Sequence, residues 1–139
     1  SGPGNVSHLY TRRADYRDFH LRMEALIDGN SGVYFRAPFG PSTPINSKVG
    51  TGPPTWVRGY NAKLDKSRAG GLLIDNLPLV RARETPMTPG TWVTFEVIAE
   101  SNHLTVKMNG LITAEFTDDK RRYNKGHIVL QHRRAVPQD

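Results

Sequence analysis

The strongest constraint on the fold is a strict alternation of apolar and polar residues across positions 92–117. Apolar residues occupy every second position in three successive runs: Val93, Phe95, Val97 and Ala99; Leu104, Val106 and Met108; Ile112, Ala114 and Phe116. Ser101-Asn102 separates the first two runs. Asn109-Gly110, a pair that favours the positive φ angles of tight hairpin turns, separates the second and third. Because such alternation is typical of strands with one buried face, it predicts a three-stranded antiparallel meander.

Shorter segments with strand character precede and follow this meander. Residues 18–26 alternate in the same way, and residues 32–36 form a second short run. The intervening turn Asp28-Gly29-Asn30 predicts that these two strands form a hairpin. Further strands are expected in three segments: 57–64, 70–74 and 127–131. About eight short strands with almost no helix predict an all-β fold, an antiparallel β-sandwich of jelly-roll type.

Length and composition bound the domain organisation. The 139 residues suit a single domain, whose core we place at about residues 9–132, with 133–139 as an irregular tail. The segment 37–56 is rich in proline and glycine and predicts a long connection, of a length that is usually functional or disordered. Ser1-Gly2-Pro3-Gly4 resembles a cut site more than a mature terminus, so we expect the chain to be part of a larger protein.

Composition also excludes several classes of protein. The chain has no cysteine, which excludes disulfides, thiolate metal sites and cysteine nucleophiles. No apolar run approaches the roughly 20 residues that span a bilayer, so membrane insertion is not expected. The formal net charge of +6 fits either a solvated surface or attraction to anions. Because the basic residues are dispersed and no motif interleaves them with aromatics, we expect no nucleic-acid partner.

Three segments, in this order and spacing, resemble the 3-keto-disaccharide hydrolase domain family: residues 15–36, which end in Asn30-Ser31-Gly32-Val33-Tyr34-Phe35-Arg36; residues 59–65; and residues 89–131. The resemblance covers about residues 9–132 and implies a concanavalin A-like jelly roll, common in glycan-degrading bacteria. It also implies a carbohydrate-active domain that cleaves the glycosidic bonds of 3-keto sugars. The ketone acidifies the hydrogen on C2, a base removes it, the anomeric substituent leaves and water then adds.

The first matching segment supplies two candidate ligand contacts. Arg36 matches the family pattern, and its forked donors suit sugar hydroxyls or an enolate oxygen; the alternative is an arginine that pins a carboxylate or loop carbonyls. Alternation assigns Tyr34 to the same side of the strand, and aromatic rings stack on the apolar face of a pyranose. Trp56, at the exit of the 37–56 connection, is a candidate platform at the rim of the site. Trp92 opens a core strand and is expected to pack.

The second matching segment departs from the family pattern. Family members carry an acidic residue and a glutamine where this chain has Asn61 and Lys63. An amide is a poor base and a poor metal ligand, and an ammonium group two residues away repels a metal cation. Alternation keeps both residues on the polar face, so ligand binding is retained while the family's catalysis is in question. The alternative is that both side chains simply face solvent.

The third matching segment supplies the remaining candidates for acid–base chemistry. His127 and His132 stand at the two ends of its closing motif, and a neutral histidine is the only plausible general base among the motif positions. Gln131 shares a face with His127 and is a candidate hydrogen-bonding contact to a ligand. Either histidine would otherwise be a surface imidazole or a hydrogen bonder at a strand edge.

No cofactor is expected from the residue pattern. Asp65, Asp118 and Asp119 lack the spacing of a metal-ligand cluster, and no metal site is predicted, although oxygen ligands alone would suffice for calcium. The sequence also lacks the motifs of nucleophile elbows, phosphate-binding loops, dinucleotide sites and zinc sites.

Three functions stay open at this point. The first is a glycosidase-like hydrolase or lyase, in which Arg36 and Lys63 stabilise an enolate and His127 or His132 is the base. The second, for which Asn61 and Lys63 argue, is a non-catalytic carbohydrate-binding module of a larger protein. The third is a structural module whose open sheet edge pairs with a partner chain, because the tail cannot supply the family's last strand. We expect a saccharide ligand and a periplasmic or extracellular location, although this chain shows no signal peptide.

Overall fold

The computed structural model describes residues 6–26, 30–39, 57–64, 69–83 and 90–133. These ranges form ten β-strands: β1 Val6–Tyr10, β2 Phe19–Leu26, β3 Asn30–Ala37, β4 Tyr60–Lys63, β5 Leu72–Ile74, β6 Leu77–Val80, β7 Trp92–Glu100, β8 His103–Met108, β9 Leu111–Thr117 and β10 His127–Arg133. Helices are absent from the same ranges, which therefore contain none that is long and apolar enough to cross a membrane. The prediction of an all-β fold is confirmed.

The strands form two antiparallel sheets that pack against each other as a β-sandwich. The larger sheet has the strand order β1-β10-β3-β4-β5-β6, and the smaller sheet has the order β2-β7-β8-β9. Every neighbouring pair of strands is antiparallel. The predicted meander is confirmed as β7, β8 and β9, in which Val97 faces Val106 and Val106 faces Ala114.

The hydrophobic core lies between the two sheets. Its most deeply buried side chains come from both: Val33, Phe35, Tyr60 and Leu72 from the larger sheet, and Val93, Phe95, Val97, Leu104 and Met108 from the smaller one. Removing this apolar surface from water is the main favourable term in folding. Because strand side chains alternate, the six-stranded sheet also has a second face that points away from this core. That second face is called the free face below.

The connection between β2 and β3 differs from the prediction of a hairpin. The two strands lie in different sheets, β2 in the four-stranded sheet and β3 in the six-stranded sheet. Leu21 and Met23 of β2 and Val33 and Phe35 of β3 all pack against the same core. Turns made of Gly and Asn occur in hairpins within one sheet and in connections between two sheets. The local sequence therefore does not distinguish these two arrangements.

The structure also contains strands that were not predicted. Strands β1 and β6 form the two edges of the six-stranded sheet, and β10 continues to Arg133, beyond the predicted end at residue 131. Pro78 in β6 is compatible with a strand because an edge strand has one row of backbone groups without a partner in the sheet. Most of the predicted long connection (residues 40–56) and the end of the tail (134–139) lie outside the described residues.

Candidate functional site

Three of the polar candidates meet on the free face of the six-stranded sheet. Gln131 of β10 lies opposite Gly32 of β3, and Gly32 in turn lies opposite Lys63 of β4. Asn61, two residues before Lys63, lies opposite Tyr34. Since residues two apart on a strand share a face, the register brings an ammonium group and two amides to neighbouring positions of one sheet face.

Gly32 at the centre of this arrangement leaves space for a neighbouring side chain. A Cβ atom at position 32 would lie 2.5 Å from Oδ1 of Asn61 and 3.2 Å from the carbonyl oxygen of Ala62. The amide of Asn61 therefore lies directly over the glycine. A glycine inside a strand often marks such a close approach, and this was the sequence signal that the prediction missed. Gly32 with Asn61, Lys63 and Gln131 is called the Gly32 notch.

The Gly32 notch contains buried hydrogen-bond acceptors that lack a partner among the described residues. Oδ1 of Asn61 and Oε1 of Gln131 are both buried and accept no hydrogen bond from the part of the chain that the structure describes. Asn61 is only 1% exposed and Lys63 only 3% exposed. An unsatisfied buried acceptor costs about 1–3 kcal/mol, so such groups in native proteins call for a water molecule or a ligand as partner. The notch is thus equipped to accept hydrogen bonds from a donor that enters it.

Tyr34 lies beside the notch but is not an exposed stacking platform. Its ring is 1% exposed and packs with Ala37, Val57 and Val129 in a small apolar cluster on the free face. Its hydroxyl donates a hydrogen bond of 2.8 Å to Oδ1 of Asn76. This bond ties β3 to the turn between β5 and β6 and supports the floor of the face. Trp56, the other aromatic candidate, lies outside the described residues.

Alternation predicted that Arg36 and Tyr34 lie on the same side of the strand. In the structure, Arg36 does not lie on the free face with Tyr34. Between Val129 and His127 of β10, β3 advances from Tyr34 to Ala37, so β3 contains one extra residue in a β-bulge. Arg36 in this bulge has a φ of 52°. The bulge changes the direction of its side chain, because alternation is interrupted there.

The Arg36 guanidinium is instead held inside the protein by backbone carbonyls. Nε and Nη2 donate to the carbonyl oxygen of Arg17 at 3.1 and 2.7 Å, and Nη1 donates to that of Tyr123 at 3.2 Å. The side chain is 1% exposed, and burial lowers its pKa. These contacts match the alternative open from sequence, an arginine that pins loop carbonyls.

Of the two histidine candidates, His127 lies away from the notch. Nδ1 of His127 lies 2.7 Å from the carbonyl oxygen of Thr11, and the ring packs edge-on against Tyr10. His127 is four residues from Gln131 along β10, about 13 Å at the usual rise of a strand. His132 pairs with Ser31 through the backbone, but its side chain is outside the described part of the chain.

A second polar cluster, which the sequence did not reveal, lies at one end of the sandwich. The buried Asp118 carboxylate accepts hydrogen bonds from the Tyr60 hydroxyl, from the Arg122 guanidinium and from the backbone N–H groups of Lys120 and Arg122. Burial alone would raise the pKa of Asp118, but the bonds from Tyr60 and Arg122 outweigh burial and lower it. Burial and the bond to Asp118 raise the pKa of Tyr60. The carboxylate is fully engaged, so we assign the cluster a structural role.

The described residues offer no ready metal centre. Among them, no group of three or more His, Asp or Glu side chains is placed to hold an ion. Of the aspartates considered from sequence, Asp118 is engaged as described above, and Asp65 lies outside the described residues. The Lys63 ammonium in the Gly32 notch also makes that position a poor fit for a divalent cation.

Comparison with known proteins assigns the chain to a family and its fold to a group of similar structures. A sequence profile of the 3-keto-alpha-glucoside-1,2-lyase-like domain matches residues 1–137. No curated protein sequence matches the chain. The carbohydrate-binding module CBM66 from Bacillus subtilis has a similar structure, with a TM-score of 0.58 at 14% sequence identity over 96% of this chain and 76% of that one. A candidate glycosyl hydrolase from Parabacteroides distasonis ATCC 8503 has a TM-score of 0.61 at 15% identity over 94% of this chain and 77% of that one.

At these identities the two structures show a shared fold, which confirms the antiparallel β-sandwich of jelly-roll type expected from sequence. The family profile adds what the fold alone does not, because it spans nearly the whole chain. The chain belongs to the family of 3-keto-alpha-glucoside-1,2-lyase-like domains.

Proposed function

We propose that this domain is a non-catalytic module that binds a saccharide at the Gly32 notch. The observation that carries the proposal is a pair of buried acceptors on one sheet face, Oδ1 of Asn61 and Oε1 of Gln131, for which the described residues supply no hydrogen-bond partner. Membership of a carbohydrate-active family supports a sugar as the missing partner. The fold shared with a carbohydrate-binding module is compatible with this role.

The chemistry of the notch suits a hydroxyl-rich ligand. A sugar hydroxyl both donates and accepts, so it can donate to the amide oxygens of Asn61 and Gln131 and accept from the N–H groups of the same amides or of the Lys63 ammonium. The absence of a side chain at Gly32 lets a ligand atom approach the sheet closely. The notch has no carboxylate, because Asn61 replaces the family's acidic residue, and it therefore lacks the group most suited to act as a base.

The direct test is calorimetric titration of the 139-residue chain with a panel of mono- and disaccharides. We expect Asn61→Ala to weaken binding of the preferred sugar by about tenfold or more, the effect of losing one buried hydrogen bond. Asn124→Ala, which removes an exposed asparagine away from the notch, is the matched control and should bind as the parent does. Binding that is absent, or that survives Asn61→Ala unchanged, would reject the site.

A second candidate function is cleavage of a 3-keto glycoside by elimination. It is favoured by the family match and by Lys63, whose buried ammonium could stabilise the negative charge that develops on an enolate oxygen. The base, assigned from sequence to His127 or His132, removes the C2 proton, the electron pair forms the C1–C2 double bond, and the C1–O bond breaks as the leaving alcohol takes up a proton. Water then adds across the double bond.

This second function is tested by release of the aglycone from a chromogenic 3-keto-glucoside. We expect turnover to be lost in Lys63→Met if the ammonium stabilises the enolate. His127→Gln tests the base predicted from sequence, and its position about 13 Å along the strand from Gln131 leads us to expect little effect. If no aglycone is released at high protein concentration, elimination is rejected, while the calorimetric titration still decides whether the notch binds sugar.

A further inference from the structure

Strand β2 forms an edge of the four-stranded sheet and lacks the features that protect the edge strands β6 and β9. Pro78 interrupts the backbone donors of β6. In β9, the carbonyl oxygen of Thr113 accepts a hydrogen bond of 2.7 Å from the backbone N–H of Arg83. Strand β2 pairs with β7 on one side only, and within the described residues no backbone group bonds to its outer side. Such an edge is a ready site for pairing with another strand.

The core-facing side chains of β2 are incompletely covered. Phe19, Leu21 and Met23 are half-buried, whereas Phe95 and Val97 of the neighbouring strand β7 are fully buried. A second strand placed beside β2 would extend the four-stranded sheet and cover this row. Covering apolar surface of this kind favours association.

An apolar groove adjoins the same edge. It has a volume of about 510 Å³ and runs between the N-terminal half of β2 and the strands β1 and β10. Leu9 and Leu130, which line it, are 68% and 40% exposed. Leu9 pairs with Leu130, and Leu130 pairs with Val33, which is fully buried, so exposure in this row increases from β3 towards the edge strand β1. The groove therefore increases the apolar surface that a partner at the β2 edge would cover.

The charges on the outer face of β2 indicate what that partner is. Arg22 and Glu24 are exposed and alternate with the apolar positions of the strand. If two copies of β2 pair antiparallel about a twofold axis at Met23, Arg22 of each copy lies opposite Glu24 of the other. The same register places Leu21 opposite Ala25. Directly opposed charges of opposite sign stabilise a strand pair.

Neighbouring registers lack this complementarity. Centring the pair on Arg22 or on Glu24 would place like charges opposite each other. A slip by one residue would instead mix the apolar row with the charged row. The sequence of β2 is thus self-complementary in a single antiparallel register. We propose that two copies of this chain associate through their β2 strands, which would join two four-stranded sheets into one eight-stranded sheet.

Charge reversal at the two positions tests this register. We expect sedimentation equilibrium of the 139-residue chain to show a concentration-dependent dimer. Arg22→Glu should raise the dimer dissociation constant at least tenfold, about 1.4 kcal/mol, because it places two pairs of glutamates opposite each other. Glu24→Arg should do the same with two pairs of arginines. The double variant Arg22→Glu with Glu24→Arg restores opposite charges in both pairs and should recover dimerisation.

Arg81→Glu is the matched control, since it changes charge by the same amount at an exposed position outside β2. Thermal unfolding of each variant checks that the fold is retained. A chain that stays monomeric up to millimolar concentration would overturn the proposal. A dimer that survives both single reversals would also overturn it, because the interface would then lie at another surface such as β1. A double variant that dimerises no more tightly than the single variants would overturn it as well. Because the Gly32 notch lies on the other sheet, sugar binding and dimerisation are measured independently.

Discussion

At the scale of single residues, Arg36 and Gly32 show that backbone conformation decides the role of a side chain. Both lie in β3, and the family resemblance emphasised the arginine as a ligand contact. The positive φ of Arg36 places its guanidinium against two backbone carbonyls, where it acts as a structural anchor. Gly32 has no functional group, yet its missing side chain makes room for the Asn61 amide.

We predict that Arg36→Met destabilises the protein by about 3 kcal/mol, because it leaves the carbonyls of Arg17 and Tyr123 without their charged donor. The free energy of unfolding in urea measures this loss. Arg17→Met is the control, since Arg17 contributes its carbonyl and its own side chain is exposed. Equal stabilities for the two variants would show that the buried guanidinium is not an anchor.

At the scale of structural elements, the bulge in β3 depends on a glycine from another part of the chain. A Cβ atom on Gly126 would overlap the carbonyl carbon of Arg36 and lie 2.5 Å from the backbone nitrogen of Ala37. Gly126 also exchanges two backbone hydrogen bonds of 3.1 Å with Tyr16. The bulge can therefore form only where the facing backbone carries no side chain.

We predict that Gly126→Ala costs about 2–3 kcal/mol of stability, in the range of an overpacked site whose neighbours are backbone atoms that cannot swing away. Thermal and urea unfolding would measure it. Gly90→Ala serves as the comparison, because Gly90 has a φ of +83° but, within the described ranges, no atom lies within 4 Å of an added Cβ. It should cost only about 1 kcal/mol of backbone strain. A Gly126→Ala variant as stable as the parent would mean that the bulge relaxes freely.

At the scale of the whole molecule, the two sheets are joined at one end by the Asp118 cluster. Tyr60 belongs to the six-stranded sheet, whereas Asp118 directly follows the last strand of the four-stranded sheet. The hydrogen bond between them, with the Arg122 ion pair at 3.1 Å, connects the layers through a buried charge. The stability of the sandwich should therefore depend on the protonation of this carboxyl.

The pKa of Asp118 is lower in the folded protein than in the unfolded chain, where an aspartate titrates at about pH 4. The folded state thus binds the proton less tightly, and the stability due to Asp118 is present above about pH 4 and lost as the pH falls further. Urea unfolding between pH 2 and pH 7 should show this decline. Asp118→Asn should lower the free energy of unfolding at neutral pH and reduce its decline at acid pH. Asp119→Asn, which changes an exposed neighbour, should have neither effect.

Local patterns in the sequence were sufficient to predict strands that have one buried face and one face exposed to solvent. Strands β7 to β9 were predicted from alternation and from Asn109-Gly110, and the positive φ of both turn residues agrees. The placement of Asn61 and Lys63 on a common face also followed from alternation, and the register between strands then added Gln131 to them. The separation of Arg36 from Tyr34 could not be predicted, since a bulge depends on contacts with a strand far along the chain.

The sequence alone determined that this protein is made of strands, which strands have one apolar face, and which family it resembles, because periodicity and motifs are local properties of the chain. The tertiary structure decided that β2 and β3 lie in different sheets, that Gly32 admits the Asn61 amide and that β2 is left as an edge. Each of these depends on which distant segments become neighbours. Burial, register and hydrogen-bond satisfaction are properties of pairs of segments, so no single stretch of sequence contains them.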